Sequence, residues 1–207
     1  MDLKVYPAPT PAAAFVVAHG AGAGQMSSFM VRAAEELAAR GISTATFDFP
    51  YITAGRRIPD KTPVLETAWR DAIDAARETF GSLPLFIGGK SMGGRIASHV
   101  ASQRGAGTLH GLVFFGYPLH PPGRPQQRRD AHLPAIVEPM LFIQGSKDTF
   151  GSGDEIRGLL ASLQHAELHE IAGGDHSFKV PGGKAKQEPV LTEVFDTAAA
   201  WIRKQLR

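Results

Sequence analysis

The chain has no cysteine among its 207 residues. Disulfides, thiolate metal sites, iron–sulfur clusters and a cysteine nucleophile are thereby excluded, and a reducing, cytoplasmic location is expected. Long hydrophobic runs are lacking too. The longest, Ala12 to Ala18, has seven residues, far short of the roughly 20 that cross a bilayer. No basic stretch followed by a long apolar one opens the chain, so neither a membrane segment nor a signal peptide is expected. Charge of one sign is also scarce. Lys and Arg number 22 against 20 Asp and Glu, a balance of +2, too weak to argue for a nucleic-acid partner.

What is present suits a globular chain. The hydrophobic share of 43% is ordinary, and the length fits one domain over residues 1–207. With 23 Gly and 15 Pro, many tight loops are expected.

Strand-like apolar runs alternate with helical patterns. Ala13–Ala18, Ile42–Phe49, Leu83–Gly88, Gly111–Tyr117, Pro139–Gln144 and, more weakly, Glu167–Ile171 read as strands. Helical spacing appears over Gln25–Arg40, Pro63–Phe80, Ser91–Gln103, Asp154–Gln164 and Glu188–Leu206. Thr62 suits the cap of the helix that Pro63 opens and Gly81 ends. Such alternation predicts βα units and a mostly parallel sheet of about six to seven strands with helices on both faces. Ligands of such sheets bind beyond the strands' carboxyl ends, so the chemistry is sought just after each strand.

Gly89-Lys90-Ser91-Met92-Gly93 follows one strand and opens a helix. The pattern G-x-S-x-G in that setting is a nucleophile elbow, whose flanking glycines let a strained serine backbone pass without collision. A capping serine in a glycine-rich βα turn is the plainer alternative. The same residues look like the end of a P-loop, but the glycine that motif needs is Pro84. Gly20-Ala21-Gly22-Ala23-Gly24 likewise opens a dinucleotide fingerprint that Gln25 or Ser27 fails to complete.

A serine nucleophile needs a base, and the base an orienting acid. Asp148 follows the strand at Pro139–Gln144, and His176 follows the last strand-like segment. The order Ser91, Asp148, His176 is that of an α/β-hydrolase. Singly, Asp148 could cap a turn and His176 could be a loop histidine. Together, each at a strand's C-terminal end, they can meet at one edge of the sheet. His19-Gly20-Ala21-Gly22 follows the first buried strand, and the backbone N–H groups of Ala21 or Gly22, with Met92, are candidates for an oxyanion hole. His19 suits the ordering of that loop better than the role of base, and Asp175, next to His176, is expected to point away from it.

These segments, with Phe47-Asp48-Phe49-Pro50-Tyr51, Gly94-Arg95, Phe115 through Gly123 and Asp175-His176-Ser177-Phe178, resemble the α/β-hydrolase superfamily from Ala12 to Arg207. More closely, the chain is similar to small lidless dienelactone-hydrolase-like and testis-expressed hydrolase-like proteins. The resemblance implies Ser91 as nucleophile, Asp148 as acid and His176 as base, in two-step acyl transfer with no metal or cofactor. Two departures stand out. Dienelactone hydrolases proper use a cysteine, absent here. The N-terminus is reduced, with only Leu3–Pro7 before the first core strand, and Pro118–Ala135 is too short for a large cap.

The expected function is serine hydrolysis of an ester or related acyl bond in a small substrate. Two loops, Tyr51–Pro63 and Pro118–Ala135, each carry a net +2. Ordinary solvated charge explains this; attraction of an anionic substrate is the functional reading. Tyr51, Arg56, Arg57, Lys90, His120 and Arg124 are the candidates for the mouth of the site. The alternatives are a non-catalytic binding or scaffold protein on the same fold, and an acyltransferase with the same three residues. The partner expected is a small-molecule acyl substrate, with no nucleic acid and no membrane. Oligomeric state is not legible in the sequence.

Overall fold

The computed structural model describes residues 1–103 and 108–207. The strands are β1 (Lys4–Tyr6), β2 (Ala13–Ala18), β3 (Ile42–Phe47), β4 (Leu85–Lys90), β5 (Gly111–Phe115), β6 (Met140–Gly145) and β7 (Ala166–Ile171). The helices are α1 (Ser28–Ala39), α2 (Pro50–Thr53), α3 (Thr62–Phe80), α4 (Met92–Ser102), α5 (Gly153–Leu160) and α6 (Lys184–Lys204). Among the described residues the seven strands form one sheet in the order β1-β3-β2-β4-β5-β6-β7. Only β1 runs antiparallel to its neighbour. Among the described residues no large cap interrupts the alternation of strands and helices, and no described helix is long and apolar enough to cross a membrane.

The apolar runs are continuous because the sheet is covered on both sides. Every residue of β2, β3, β5 and β6 is buried. Alternate residues serve opposite layers. Ala13, Phe15 and Val17 pack with α1 and α6, through Met30, Leu37, Phe195 and Ile202. Ala14, Val16 and Ala18 pack with α3, α4 and α5, through Trp69, Ile96 and Ile156. This two-layer burial puts β2 and β4 at the centre of the sheet. The chain leaves β2 in one direction to reach β3 and returns to β4 on the other side. A crevice therefore opens at the carboxyl ends of β2 and β4.

Two local expectations are corrected. Thr62 lies inside α3, whose cap position is Lys61, and makes no capping bond there. The last helix begins at Lys184 rather than Glu188 and carries Pro189 in its interior. Gly81 does close α3, with φ of 60°.

Candidate active site

The elbow is built from close packing. A Cβ on Gly89 would lie 2.4 Å from the Ala18 carbonyl oxygen, and one on Gly93 would lie 2.3 Å from the same atom. Only glycine lets β4 and the start of α4 press so tightly against β2. Between them Ser91 adopts φ of 51° and ψ of −117°, a region that a side-chain-bearing residue enters only under constraint. Its N–H donates to the Phe115 carbonyl at 3.1 Å, and its carbonyl accepts the Arg95 N–H at 3.1 Å. From the far side of α4, the buried Trp69 indole donates to the Gly93 carbonyl at 3.1 Å. The result is a serine side chain held up at the sheet's edge, at the N-terminus of a helix.

His176 bridges the other two residues. Its Nε2 is 2.8 Å from Ser91 Oγ and its Nδ1 is 2.7 Å from Asp148 Oδ2. The tautomer that satisfies both contacts carries its proton on Nδ1, donates to the carboxylate and accepts the serine hydroxyl. Asp148 is 3% exposed. Its Oδ1 accepts the Phe150 N–H at 2.8 Å, and its Oδ2 also accepts from Gln144 Nε2 at 2.8 Å. The His176 ring packs on Phe150 with centroids 4.2 Å apart. Asp175 points away, its carboxylate accepting the Ser177 and Lys179 N–H groups at 2.7 and 2.9 Å. That turn fixes where the loop delivers the imidazole.

Lys90 reaches behind the histidine. Its ammonium donates to the His176 carbonyl and sits 5.3 Å from the centre of the Phe178 ring. Burial pushes its pKa down to about 8. Gly116 makes room: with φ of 70°, its missing Cβ would stand 2.9 Å from Lys90 Nζ and 3.4 Å from His176 Nδ1.

Of the three backbone groups expected to form an oxyanion hole, Ala21 and Met92 line a cavity of about 640 Å³ that also contains Ser91 and His176. Gly22 is placed otherwise. Its N–H is given to the Tyr51 hydroxyl at 3.2 Å, and it is absent from the cavity wall. His19 is fully buried and orders this loop. Its Nδ1 contacts the Gly20 carbonyl at 2.8 Å, and its Nε2 accepts the Phe49 N–H at 3.2 Å. Burial holds its imidazole below the usual histidine pKa, so it stays neutral as those bonds require.

The mouth is corrected. Lys90 lines the cavity, but Tyr51, Arg56, Arg57, His120 and Arg124 do not. Tyr51 is buried beneath the His19 loop. Arg56 is turned to Asp60 at 2.7 Å, and Arg57 and Arg124 are exposed away from the cavity. His120 is buried against Glu155 at 3.0 Å. The cavity's arginines are Arg95 and Arg129, and among the described residues its one acid is Asp60. Sequence reasoning also missed Gln144, whose side chain joins Asp148 to the Gly151 carbonyl and to both backbone groups of Tyr117.

A second serine–histidine contact exists. Ser98 Oγ is 2.7 Å from His132 Nε2. Ser98 is 0% exposed, and its hydroxyl donates to the Arg95 carbonyl at 2.6 Å. Towards His132 it is therefore an acceptor. Burial, together with the neighbouring His99 and Arg95 charges, pushes the His132 pKa down to about 4. This pair joins α4 to the loop before β6 and offers no hydroxyl to the cavity.

A seven-stranded, lidless sheet with a serine elbow at its switch point is the architecture of α/β-hydrolases. The chain belongs to the α/β hydrolase domain family, whose model matches residues 11–203. Solved structures share its fold. A dienelactone hydrolase from Anabaena variabilis matches at 24% identity and a TM-score of 0.77, covering 99% of this chain and 92% of the other. An α/β serine hydrolase homologue from Coxiella burnetii matches at 14% identity and a TM-score of 0.76, covering 96% and 89%. A lidless α/β serine hydrolase from Xanthomonas campestris matches at 18% identity and a TM-score of 0.72, again over 96% and 89%.

Proposed function

We propose that the protein is a serine hydrolase that cleaves carboxylic esters, or closely related acyl bonds, of a small-molecule substrate. The observation that carries this reading is the position of His176, 2.8 Å from Ser91 Oγ through one nitrogen and 2.7 Å from Asp148 through the other. Support also comes from the names of structural relatives, which include serine hydrolases and esterases.

The steps follow from the geometry. Ser91 Oγ attacks the carbonyl carbon while His176 Nε2 takes the hydroxyl proton. Asp148 keeps the imidazole in the correct tautomer and stabilises its positive charge. The developing oxyanion is met by the Met92 N–H at the start of α4, with the Ala21 N–H opposite it; each such donor is typically worth about 10²- to 10³-fold in rate. His176 returns the proton to the leaving alcohol, leaving an acyl-enzyme. Water, deprotonated by His176, then releases the acid and restores Ser91. The open crevice favours short acyl groups.

The test is labelling by a fluorophosphonate probe alongside hydrolysis of a short-chain aryl ester, in wild type, Ser91→Ala and Ser98→Ala. Labelling and turnover that vanish in Ser91→Ala and persist in Ser98→Ala support the reading. An unlabelled, well-folded wild type overturns it. Product analysis in the presence of an added alcohol separates hydrolysis from acyl transfer.

A further inference from the structure

The loop acids leave two cavity arginines unmatched. Asp60 binds Arg56 at 2.7 Å, and Asp130 binds Arg128. Arg95 and Arg129, by contrast, have no carboxylate within 4.0 Å among the described residues. Arg95 stands one helical turn after Ser91, so its side chain rises on the same side of α4 as the serine. Among the described residues its buried Nε has no hydrogen-bond partner, and its Nη1 reaches the His99 imidazole, at 3.4 Å. The nearby groups do not cancel the charge. Glu66 is engaged with His99 at 3.1 Å, and the Tyr117 hydroxyl donates to the Arg129 carbonyl at 2.7 Å. Both side chains line the same cavity, and the Arg129 charge works against that of Arg95. A desolvated, unpaired cation is costly, and a second one beside it raises the cost.

We propose that Arg95 and Arg129 form an oxyanion subsite of the cavity, which binds a carboxylate or phosphate carried by the substrate away from its scissile bond. Guanidiniums present forked N–H donors that match such groups, and partial desolvation strengthens the pairing. Lys90, in the same wall, adds to the positive field; Asp60, also in the wall, holds Arg56 through Oδ1, while its buried Oδ2 has no partner among the described residues. The substrate class is then an ester with a second, negatively charged head, such as the monoester of a dicarboxylic acid. This rests on the reading of Ser91 as nucleophile, and it extends that reading from bond to substrate.

The experiment has a kinetic and a binding arm. In the first, kcat/KM is compared for an aryl butyrate and the matching aryl hemisuccinate, in wild type, Arg95→Met, Arg95→Lys and Arg129→Met. Wild type is expected to prefer the hemisuccinate, and Arg95→Met to reduce that preference about 10- to 100-fold. Arg129→Met, with a smaller loss, and Arg95→Lys, with a partial one, keep the test open if Arg95→Met fails to fold. In the second arm, calorimetry on Ser91→Ala follows monoethyl succinate, ethyl butyrate and phenyl phosphate, with and without Arg95→Met. Arg95-dependent binding of monoethyl succinate supports a carboxylate subsite, and of phenyl phosphate alone a phosphate one. Hydrolysis without charge preference, together with no Arg95-dependent binding, overturns the subsite while leaving the hydrolase intact. Arg95-dependent binding without any hydrolysis keeps the subsite and removes the hydrolase.

Discussion

Gln144 Nε2 lies 2.8 Å from Asp148 Oδ2, the same oxygen that meets His176. The amide thus aims the carboxylate, and it does so from a fully buried position at the end of β6. The same nitrogen serves the Gly151 and Tyr117 carbonyls, and Oε1 accepts the Tyr117 N–H at 2.7 Å. Gln144→Leu keeps the bulk but strands these groups, each at about 1–3 kcal/mol. A loss of about 3 kcal/mol in unfolding free energy is expected, with roughly a 10-fold or greater fall in kcat as Asp148 loses its aim. Urea unfolding and ester kinetics check both. An unchanged urea midpoint would show that the network does not stiffen the site.

Ser91 has positive φ between two glycines that cannot be replaced without collision. The strain belongs to the serine's own Cβ, since glycine occupies this region freely. Ser91→Gly is therefore expected to be inactive yet more stable than wild type, by about 1 kcal/mol. Chemical denaturation of Ser91→Gly beside Ser91→Ala measures it. Glycine less stable than alanine would mean that the elbow carries no strain worth relieving.

Tyr51 was expected at the mouth and acts from beneath it. Its hydroxyl accepts the Gly22 N–H at 3.2 Å, and its ring packs near His19, with centroids 5.9 Å apart. Burial raises its pKa, so the hydroxyl stays protonated. Tyr51→Phe leaves the Gly22 N–H without its partner and loosens the loop that presents Ala21. The expected result is a roughly 3- to 10-fold fall in kcat, a fraction of what losing a whole oxyanion donor costs. KM should change little, because Tyr51 is buried and does not line the cavity. A rise in KM alone would place Tyr51 in substrate binding after all.

What the sequence reveals here depends on how local the cause is. β2, and β6 as far as Ile143, are apolar runs because helices cover both faces, and such runs are visible in one dimension. The meeting of Ser91, Asp148 and His176 is legible because parallel strands deliver whatever follows them to a common edge. Gln144 was not, since its partners Tyr117 and Gly151 come together only through the β5–β6 pairing and the turn after β6. Nor were Arg95 and Arg129. A count of loop charges gives the right sign but not direction, and Asp60 and Asp130 pair with arginines that counting had put at the mouth or treated as equal. The reading of α6 starts it at Glu188, four residues after its observed start at Lys184. A proline usually sits in a helix's first turn, but here the helix starts earlier and carries it inside.

His132 gives the fold a pH dependence of its own. Its ring packs, tilted, against that of His99 with centroids 4.1 Å apart, next to Arg95, and its Nε2 meets Ser98. Folding lowers its pKa from 6.5 to about 4. Below pH 6.5 the unfolded chain binds a proton that the folded chain refuses until about pH 4. More protons on the unfolded state mean that stability rises with pH across this window, and equally that it is lost as pH falls through it. One such group sets a slope of at most about 1.4 kcal/mol per pH unit. His99, itself held below the usual histidine range by burial, adds to the same trend, and Glu66 and Asp130 oppose it. His132→Asn keeps a donor for Ser98 without the titration. Urea midpoints measured from pH 4 to 8 should then fall less steeply at the acid end in His132→Asn than in wild type. Parallel curves would mean that His132 titrates normally in the folded protein, and that its contact with Ser98 survives protonation.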